Sequence, residues 1–294
     1  MTNLNFLNPL AGLAALACEN SDVAAGIVRK LEFRGKRRIA QRTTRAKSGH
    51  EVVATCSGIR YKLDLRDDLQ RELYFNIYDR EDIQYALTLL RPGGVCLDVG
   101  ANNGTFALNF ARAVGGSGMV HAFEADGQVF ARLQANCRLN KAESVVRCRH
   151  AAITSVSGPV EFYSSSSSHS GWGSVVEFQD IAEQKQTVTG ITLDDFLMAQ
   201  NIRHVDILKA DIEAHEPEML RGAQESLADH VFCHIIIEFN GLRLAQRGKS
   251  IEDLLAPLES AGYRAMEFRL KELQRVRDGS IPAETVCTNF FFSV

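Results

Sequence analysis

The sequence predicts an α/β protein whose core is a doubly wound, mostly parallel sheet. Three observations carry that prediction. From about residue 80 onward, short apolar runs alternate with helical patterns, which is how strands joined by crossover helices read. The first run, "VCLDV" at 95–99, passes Asp98 and enters a loop bracketed by Gly100 and Gly104 before a helical pattern resumes. Strand, glycine loop and helix N-terminus in that order form the usual ligand-facing unit of such sheets. The next run, "GMVHAFE", ends on Glu124, 20 residues after Gly104, about the offset at which an acid meets ribose hydroxyls.

The elements follow in order. Residues 1 to about 47 read as helical and include "RKLEFRGKRRIAQRTTRAK", with nine Lys or Arg and one Glu. That tract suits a solvated arm or contact with an anionic surface. Residues 50–66 alternate apolar and polar positions around Ser57-Gly58, the signature of a β-hairpin. We therefore read 1–70 as an N-terminal helical and β-hairpin extension and 71–294 as the main domain. In the latter, "REDIQYALTLLRPGG" predicts a helix stopped by Pro92-Gly93-Gly94, followed by strand 95–99, helix 104–114, strand 118–124, helix 127–140 and the strand "VVRCRHAAI". An insertion, "SGPVEFYSSSSSHSGWGSVVEFQD", predicts two strands, "PVEFY" and "SVVEF", joined by a serine-rich loop carrying His169 and Trp172. The pattern resumes with "HVDILKAD", a helix from about Pro217, the strand "VFCHIIIEF", a helix over 251–262, and strands at "YRAMEF" and "VCTNFFFSV".

Composition sets outer limits. At 294 residues and 45% hydrophobic content the chain can bury a large core. A net charge of −3 argues against a general nucleic-acid binder, which needs a clear cationic excess. The seven cysteines include no CxxC pair and several sit in apolar runs, which favours reduced thiols and a cytoplasmic location over a disulfide framework or zinc site. No secretory leader pattern and no apolar run of about 18 residues is present.

The chemistry concentrates at the strand ends. The loop Gly100-Ala-Asn102-Asn-Gly104 departs from GxGxxG and lacks the Lys-Ser or Lys-Thr of a phosphate-cradling loop. Asp98 beside it would repel phosphate and suits a ligand with an amino group or sulfonium; S-adenosylmethionine is such a cofactor. The missing side chains would leave room for that ligand. Glu124 is read as its ribose acceptor, and the small Ala151 and Ala152 as the surface beside its adenine.

"LDVGANNGTFALNFARAV", "VHAFEAD", "LQANCRLN", "ITLDDFL" and "VDILKADIEAHEPEMLRGA" together resemble the FkbM-type methyltransferase family in order and rough spacing, over about residues 70–240. The resemblance implies a Rossmann-like class I methyltransferase fold with an antiparallel last strand. It also implies S-adenosylmethionine as cofactor and a hydroxyl of a sugar, glycan or natural product as acceptor. It places Asp98, Gly100, Asn102, Gly104 and Glu124 at the cofactor, and Lys209, Asp211 and Glu213 in a K-x-D-x-E element at the fourth strand end. Two departures stand out: Ala214-His215 where the family more often has Gly-Ala, and Ala125 where it has Pro. The first is expected to narrow the acceptor pocket and bring a titratable ring near the acids.

In the mechanism this implies, Asp211 or Glu213 takes the acceptor proton, His215 is a second candidate, and Lys209 fixes the carboxylates. His169 and Trp172 are the expected acceptor contacts, the indole offering a face for a sugar. Asp206, Asp211, Glu213, Glu216 and Glu238 would also suit a hard divalent cation; spacing alone does not decide whether they meet, and no metal is assigned. Asp194 and Asp195 are expected to cap a helix, and the N-terminal helix is available for a homodimer. Two rival readings are a non-catalytic binding protein on the same fold and a nucleotide-cofactor oxidoreductase. Asp98 and the absence of GxGxxG disfavour the second.

Overall fold

The computed structural model describes residues 13–18, 22–31, 36–43, 51–165, 173–175 and 184–294. The chain divides into two compact units, Met1–Ile83 with Ser166–Gly171, and Gln84–Ser165 with Trp172–Val294.

In the first unit, helices α1 (13–18), α2 (Asp22–Lys30) and α3 (Lys36–Arg42) precede a hairpin of β1 (Glu51–Cys56) and β2 (Ile59–Asp64). Ser57 and Gly58 both have positive φ, 49° and 84°, the backbone of a tight hairpin turn whose twist matches its strands. Ala54, Cys56, Ile59, Tyr61 and Leu63 are buried in the alternating pattern the sequence predicts. Helix α4 (Asp68–Tyr74) is capped by Asp67, whose carboxylate accepts the Gln70 N–H at 2.9 Å. It is tied to the hairpin by Gln70, which accepts the Asp64 N–H at 2.8 Å, and by Arg71, which donates to the carbonyls of Leu65 and Arg66. Helix α5 (Arg80–Thr88) runs across the division between the units.

The second unit is built on β3 (Val95–Val99), α6 (Thr105–Val114), β4 (Met119–Glu124), α7 (Gly127–Leu139), β5 (Val146–His150), β6 (Ala152–Ile153), β7 (Gly158–Ser164), β8 (Gln184–Ile191), α8 (Leu193–Gln200), β9 (Val205–Ala210), α9 (Glu216–Arg221), α10 (Gln224–Ala228), β10 (Phe232–Asn240), α11 (Gly241–Gln246), α12 (Glu252–Ser260), β11 (Arg264–Ala265), α13 (Leu270–Arg277) and β12 (Cys287–Ser293). Seven strands form one sheet in the order β11-β12-β10-β9-β3-β4-β5. Strands β10, β9, β3, β4 and β5 are parallel, and β12 enters antiparallel between β10 and β11. This is the doubly wound sheet with an antiparallel last strand that the sequence implies. The order reverses between β3 and β9, so the C-terminal ends of those two strands flank the position where such sheets bind ligands. Every residue of β9 is buried, including Lys209. Leu97, Leu208, Ile235, Ile237 and Phe290 lie in the main apolar cluster that holds the sheet and its helices together.

Two segments differ from the sequence expectation. "VVRCRHAAI" is not one strand: β5 stops at His150, and β6 joins a separate three-stranded sheet ordered β6-β8-β7. In that sheet β7 pairs antiparallel with β8, and it also borders the start of "SVVEF". Of the latter, Ser174 makes an isolated bridge to Tyr163, while 176–178 lie outside the described residues. Strand β8 escapes a periodicity reading because Val188 is the only large apolar side chain it buries. Helix α13 escapes for the same reason, burying only Leu273 and Val276. Asp194 and Asp195, expected to cap a helix, do not cap α8, whose N-cap is Thr192, accepting the Asp195 N–H at 3.0 Å; Asp194 instead accepts the N–H groups of Glu225 and Ser226 in α10.

At the N-terminal end of the sheet, Asp206 joins β9 to the start of β3. Its Oδ2 accepts the Val95 N–H at 2.8 Å, and Oδ1 lies 3.2 Å from Arg91 Nε. Asp206→Ala leaves a strand amide without its acceptor, and we expect it to lower stability by about 1–3 kcal/mol. Chemical denaturation measures this; an unchanged midpoint would show that the link is dispensable.

Candidate functional site

The loop after β3 is held by its own backbone. The N–H groups of Gly100 and Ala101 both donate to the Phe123 carbonyl, at 3.0 and 2.8 Å, and Gly104 donates to Ala101. Asn102, at φ 49°, donates its N–H to Glu124 Oε2 at 2.9 Å. These four amides are therefore satisfied internally and form no phosphate cradle. The glycines are required by the protein itself. Gly100 has φ +75°, and a Cβ there would stand 1.8 Å from the Asp211 carbonyl oxygen. At Gly104, φ is +91° and a Cβ would stand 2.9 Å from Leu133 Cδ1. The expectation that bare backbone makes room for a ligand is thus replaced, at both positions, by close packing against β9's terminal turn and α7.

Asp98 is 1% exposed, and neither carboxylate oxygen meets a hydrogen-bond donor of good geometry. Burial pushes its pKa up to about 6, against the opposing pull of Lys209 and the Ala107 amide. Glu124 is buried at the end of β4, where Oε1 accepts the Asp126 N–H at 2.8 Å and Oε2 the Asn102 N–H. Burial raises it to about 7. Each of its oxygens keeps a second lone pair, so the carboxylate both shapes the loop and can accept from a ligand. Ala151 and Ala152, beyond β5, are buried. Sequence reasoning missed Asn103 and Asn136: the Asn103 carbonyl accepts Asn136 Nδ2 at 2.8 Å, tying the loop to α7. A polar residue inside a helical pattern gives no signal of such a partner.

Across the switch point, Lys209 lies opposite Asp98 in the β3–β9 register. Its Nζ donates to Asp211 Oδ2 at 3.0 Å and sits 5.0 Å from the centre of the Phe106 ring, a cation held by a carboxylate and an aromatic face. Glu213 is buried, with Oε2 accepting Asn240 Nδ2 at 3.1 Å. Burial, then the neighbouring Asp211 charge, raises it to about 8. Glu216 is also buried and raised to about 7, with Oε1 accepting the Ile212 N–H at 2.8 Å.

Three of the five carboxylates considered for a cation converge. Asp211, Glu213 and Glu238 bring one oxygen each within 4.8 Å of one another. Asp206 lies at the other end of β9. Glu238 Oε1 accepts from Cys287 Sγ at 3.4 Å, so β12 also borders this cluster.

His215 is buried at the start of α9. Nε2 lies 3.0 Å from Thr154 Oγ1, and Nδ1 is 3.7 Å from Glu218. Burial lowers its pKa to about 4, so the ring is neutral at pH 7. Ala214 is fully buried. His169 and Trp172 lie outside the described residues. The insertion nevertheless reaches the cluster, because Ser174 Oγ donates to the Glu213 carbonyl at 3.3 Å.

The family model for the methyltransferase FkbM domain matches residues 98–265. The chain is 30% identical over 183 residues to the 31-O-demethyl-FK506 methyltransferase FkbM of Streptomyces tacrolimicus, covering 52% of this chain and 68% of that protein. Among solved structures, the methyltransferase FkbM of Methylobacillus flagellatus KT superposes with TM-score 0.41 at 16% identity, covering 67% of this chain; the chain spans 50% of that protein's length. A putative rRNA-methylase from Clostridium thermocellum gives TM-score 0.45 at 10% identity, covering 72% of this chain and 93% of the other.

The raised acids fix a pH dependence. Glu124, Glu213 and Glu216 have folded-state values near 7, 8 and 7, above their ordinary 4.5. Between about pH 6.5 and 7.5 they hold protons in the fold that the unfolded chain has released, so stability falls as pH rises. His215 and His121, lowered to about 4, act with opposite sign, chiefly below about 6.5 and fading above it. The ligand-free protein is expected to lose about 1–2 kcal/mol across that window; a flat or rising denaturation profile would contradict it.

Proposed function

Because the chain belongs to the FkbM methyltransferase family, we propose that it transfers a methyl group from S-adenosylmethionine to a hydroxyl of a sugar, glycan or natural product. The observation that carries the cofactor half of this reading is Asp98. A buried carboxylate with no well-aligned donor on either oxygen, beside a glycine loop whose amides are already used, suits a cationic ligand. The relative from Streptomyces tacrolimicus is named for methylation of an oxygen of FK506, which supports a hydroxyl acceptor here. The seven cysteines include no CxxC pair, which fits a reducing cytoplasm. Among the described residues no helix is long and apolar enough to cross a membrane. Residues 71–294 are read as the catalytic domain and 1–70 as its extension.

The cofactor, when bound, supplies an activated methyl group on a sulfonium. The protein's share is to line up the acceptor oxygen and receive its proton. In our reading Asp98 faces the amino group, Glu124 takes the ribose hydroxyls, and Ala152 borders the adenine. Gly100, Asn102 and Gly104 hold the loop between them. Glu213 is the proton acceptor in its ionised form, which a bound cationic cofactor favours; its raised pKa, near 8, then makes that carboxylate a stronger base than an ordinary one. Asp211, kept in place by Lys209, orients the acceptor hydroxyl. His215 is assigned a positioning role, since its Nε2 is engaged by Thr154 and its pKa makes it a weak base.

Calorimetric titration with S-adenosylmethionine and with S-adenosylhomocysteine is the direct test. Saturable binding is expected for the unmodified chain, and binding at least about tenfold weaker for Asp98→Ala and Glu124→Ala. Absence of binding by the folded protein would overturn the cofactor assignment. With a hydroxylated acceptor found by screening, Glu213→Gln is expected to lower kcat about 100-fold or more while leaving cofactor affinity within a few-fold. An unchanged kcat would remove Glu213 as the base.

A further inference from the structure

We infer that the N-terminal helices seat this protein on an anionic lipid surface, an association separate from the methyl-transfer reading. Helix α1 leaves Leu13 65% and Leu16 55% exposed, and α2 with the residue after it leaves Ile27 54% and Leu31 51% exposed. The pairs are spaced i, i+3 and i, i+4, so each occupies one helix face. Lys30, between Ile27 and Leu31 in sequence, is exposed, as is Arg38 on α3. Apolar side chains flanked by cations are the pattern of helices lying in a membrane interface.

Charge distribution supports the same occupant. Residues 1–47 carry nine Lys or Arg against three acids, in a chain whose net charge is −3. All nine lie in 29–47, so the cationic excess begins at the C-terminal end of α2, beside Ile27 and Leu31. Helix α3 begins Lys36-Arg37-Arg38 with no acid in its first turn, the reverse of what the helix dipole favours. Lys36 is buried and Arg37 pairs with Glu72 at 2.9 Å, so of the three it is the exposed Arg38 that the surface contact uses. A soluble polyanion would use the cations but not the leucines, so the exposed apolar pairs favour a bilayer. No described helix can span one, which makes the contact peripheral.

Sedimentation of the full chain with vesicles tests this, comparing phosphatidylcholine alone with equal parts phosphatidylcholine and phosphatidylglycerol. Binding is expected only to the anionic vesicles, weakening with salt. Two surface variants, Ile27→Glu with Leu31→Glu and Lys30→Glu with Arg38→Glu, should each reduce the bound fraction at least about tenfold. Met198→Glu, at an exposed apolar position of the other unit, should leave it unchanged. No binding by the unmodified chain would overturn the proposal, as would binding that ignores the Ile27/Leu31 change, which would indicate a charge-only contact. Self-association abolished by Ile27→Glu with Leu31→Glu, without vesicle binding, would also overturn it by assigning the face to a second copy.

Discussion

The close approach of Gly100 to the Asp211 carbonyl is the contact on which the site depends. A side chain at residue 100 would stand 1.8 Å from that oxygen, and the adjoining Asp211 N–H donates to Val99 at 3.0 Å. Two strand ends that lie 111 positions apart in sequence are thereby pressed together at backbone distance. One carries Asp98 and the loop; the other carries Lys209, Asp211 and Glu213. Because the parallel register also sets Asp98 against Lys209, the sheet determines the spacing between the Asp98 side and the acid side of the site. Neither group needs a flexible segment to reach the other.

Holding these groups in a dry sheet end has an electrostatic consequence. Asp98, Glu124, Glu213, Glu216 and Glu238 are all shifted upward, with burial as the leading cause in each. Lys209 and Arg243 are buried cations among them. Isolated buried carboxylates keep their protons rather than carry an uncompensated charge. A ligand bearing positive charge would reverse that balance and favour the ionised forms. The arrangement therefore prefers a cation on electrostatic grounds that do not depend on the shape of the pocket.

Much of this was legible in the sequence. The alternation from residue 80 gives the sheet, and Asp98, Glu124 and the K-x-D-x-E run fall at the ends of β3, β4 and β9 as read. Those features are local: an apolar run, a glycine pair and an acid at a strand end sit within a few residues of each other. The role of Gly100 was not legible, because its partner is the carbonyl of a residue on another strand. Likewise the Asn240 bond to Glu213 depends on β10 lying beside β9 in space, and the Cys287 contact to Glu238 on β12 lying beside β10. Strand β8 shows the other limit. Its side chains are mostly polar and exposed, so period-two alternation has almost nothing to register.

The turn after β9 shows how the acid side is held in place. Glu213 and Ala214 are consecutive non-glycine residues with positive φ, 53° and 65°. Such backbone costs on the order of 1–3 kcal/mol per residue and persists only where its surroundings over-determine it. Here they do: Asn240 grips the Glu213 side chain, Ser174 the Glu213 carbonyl, Arg247 the Ala214 carbonyl, and Glu216 the Ile212 amide. A glycine at 214 would relax the turn and let it sample other conformations. Alanine restricts it, and its methyl group packs into the main apolar cluster. The residue that departs from the family pattern therefore acts first on the backbone. It fixes the direction from which Glu213 presents its carboxylate, and any effect on the acceptor pocket follows from that.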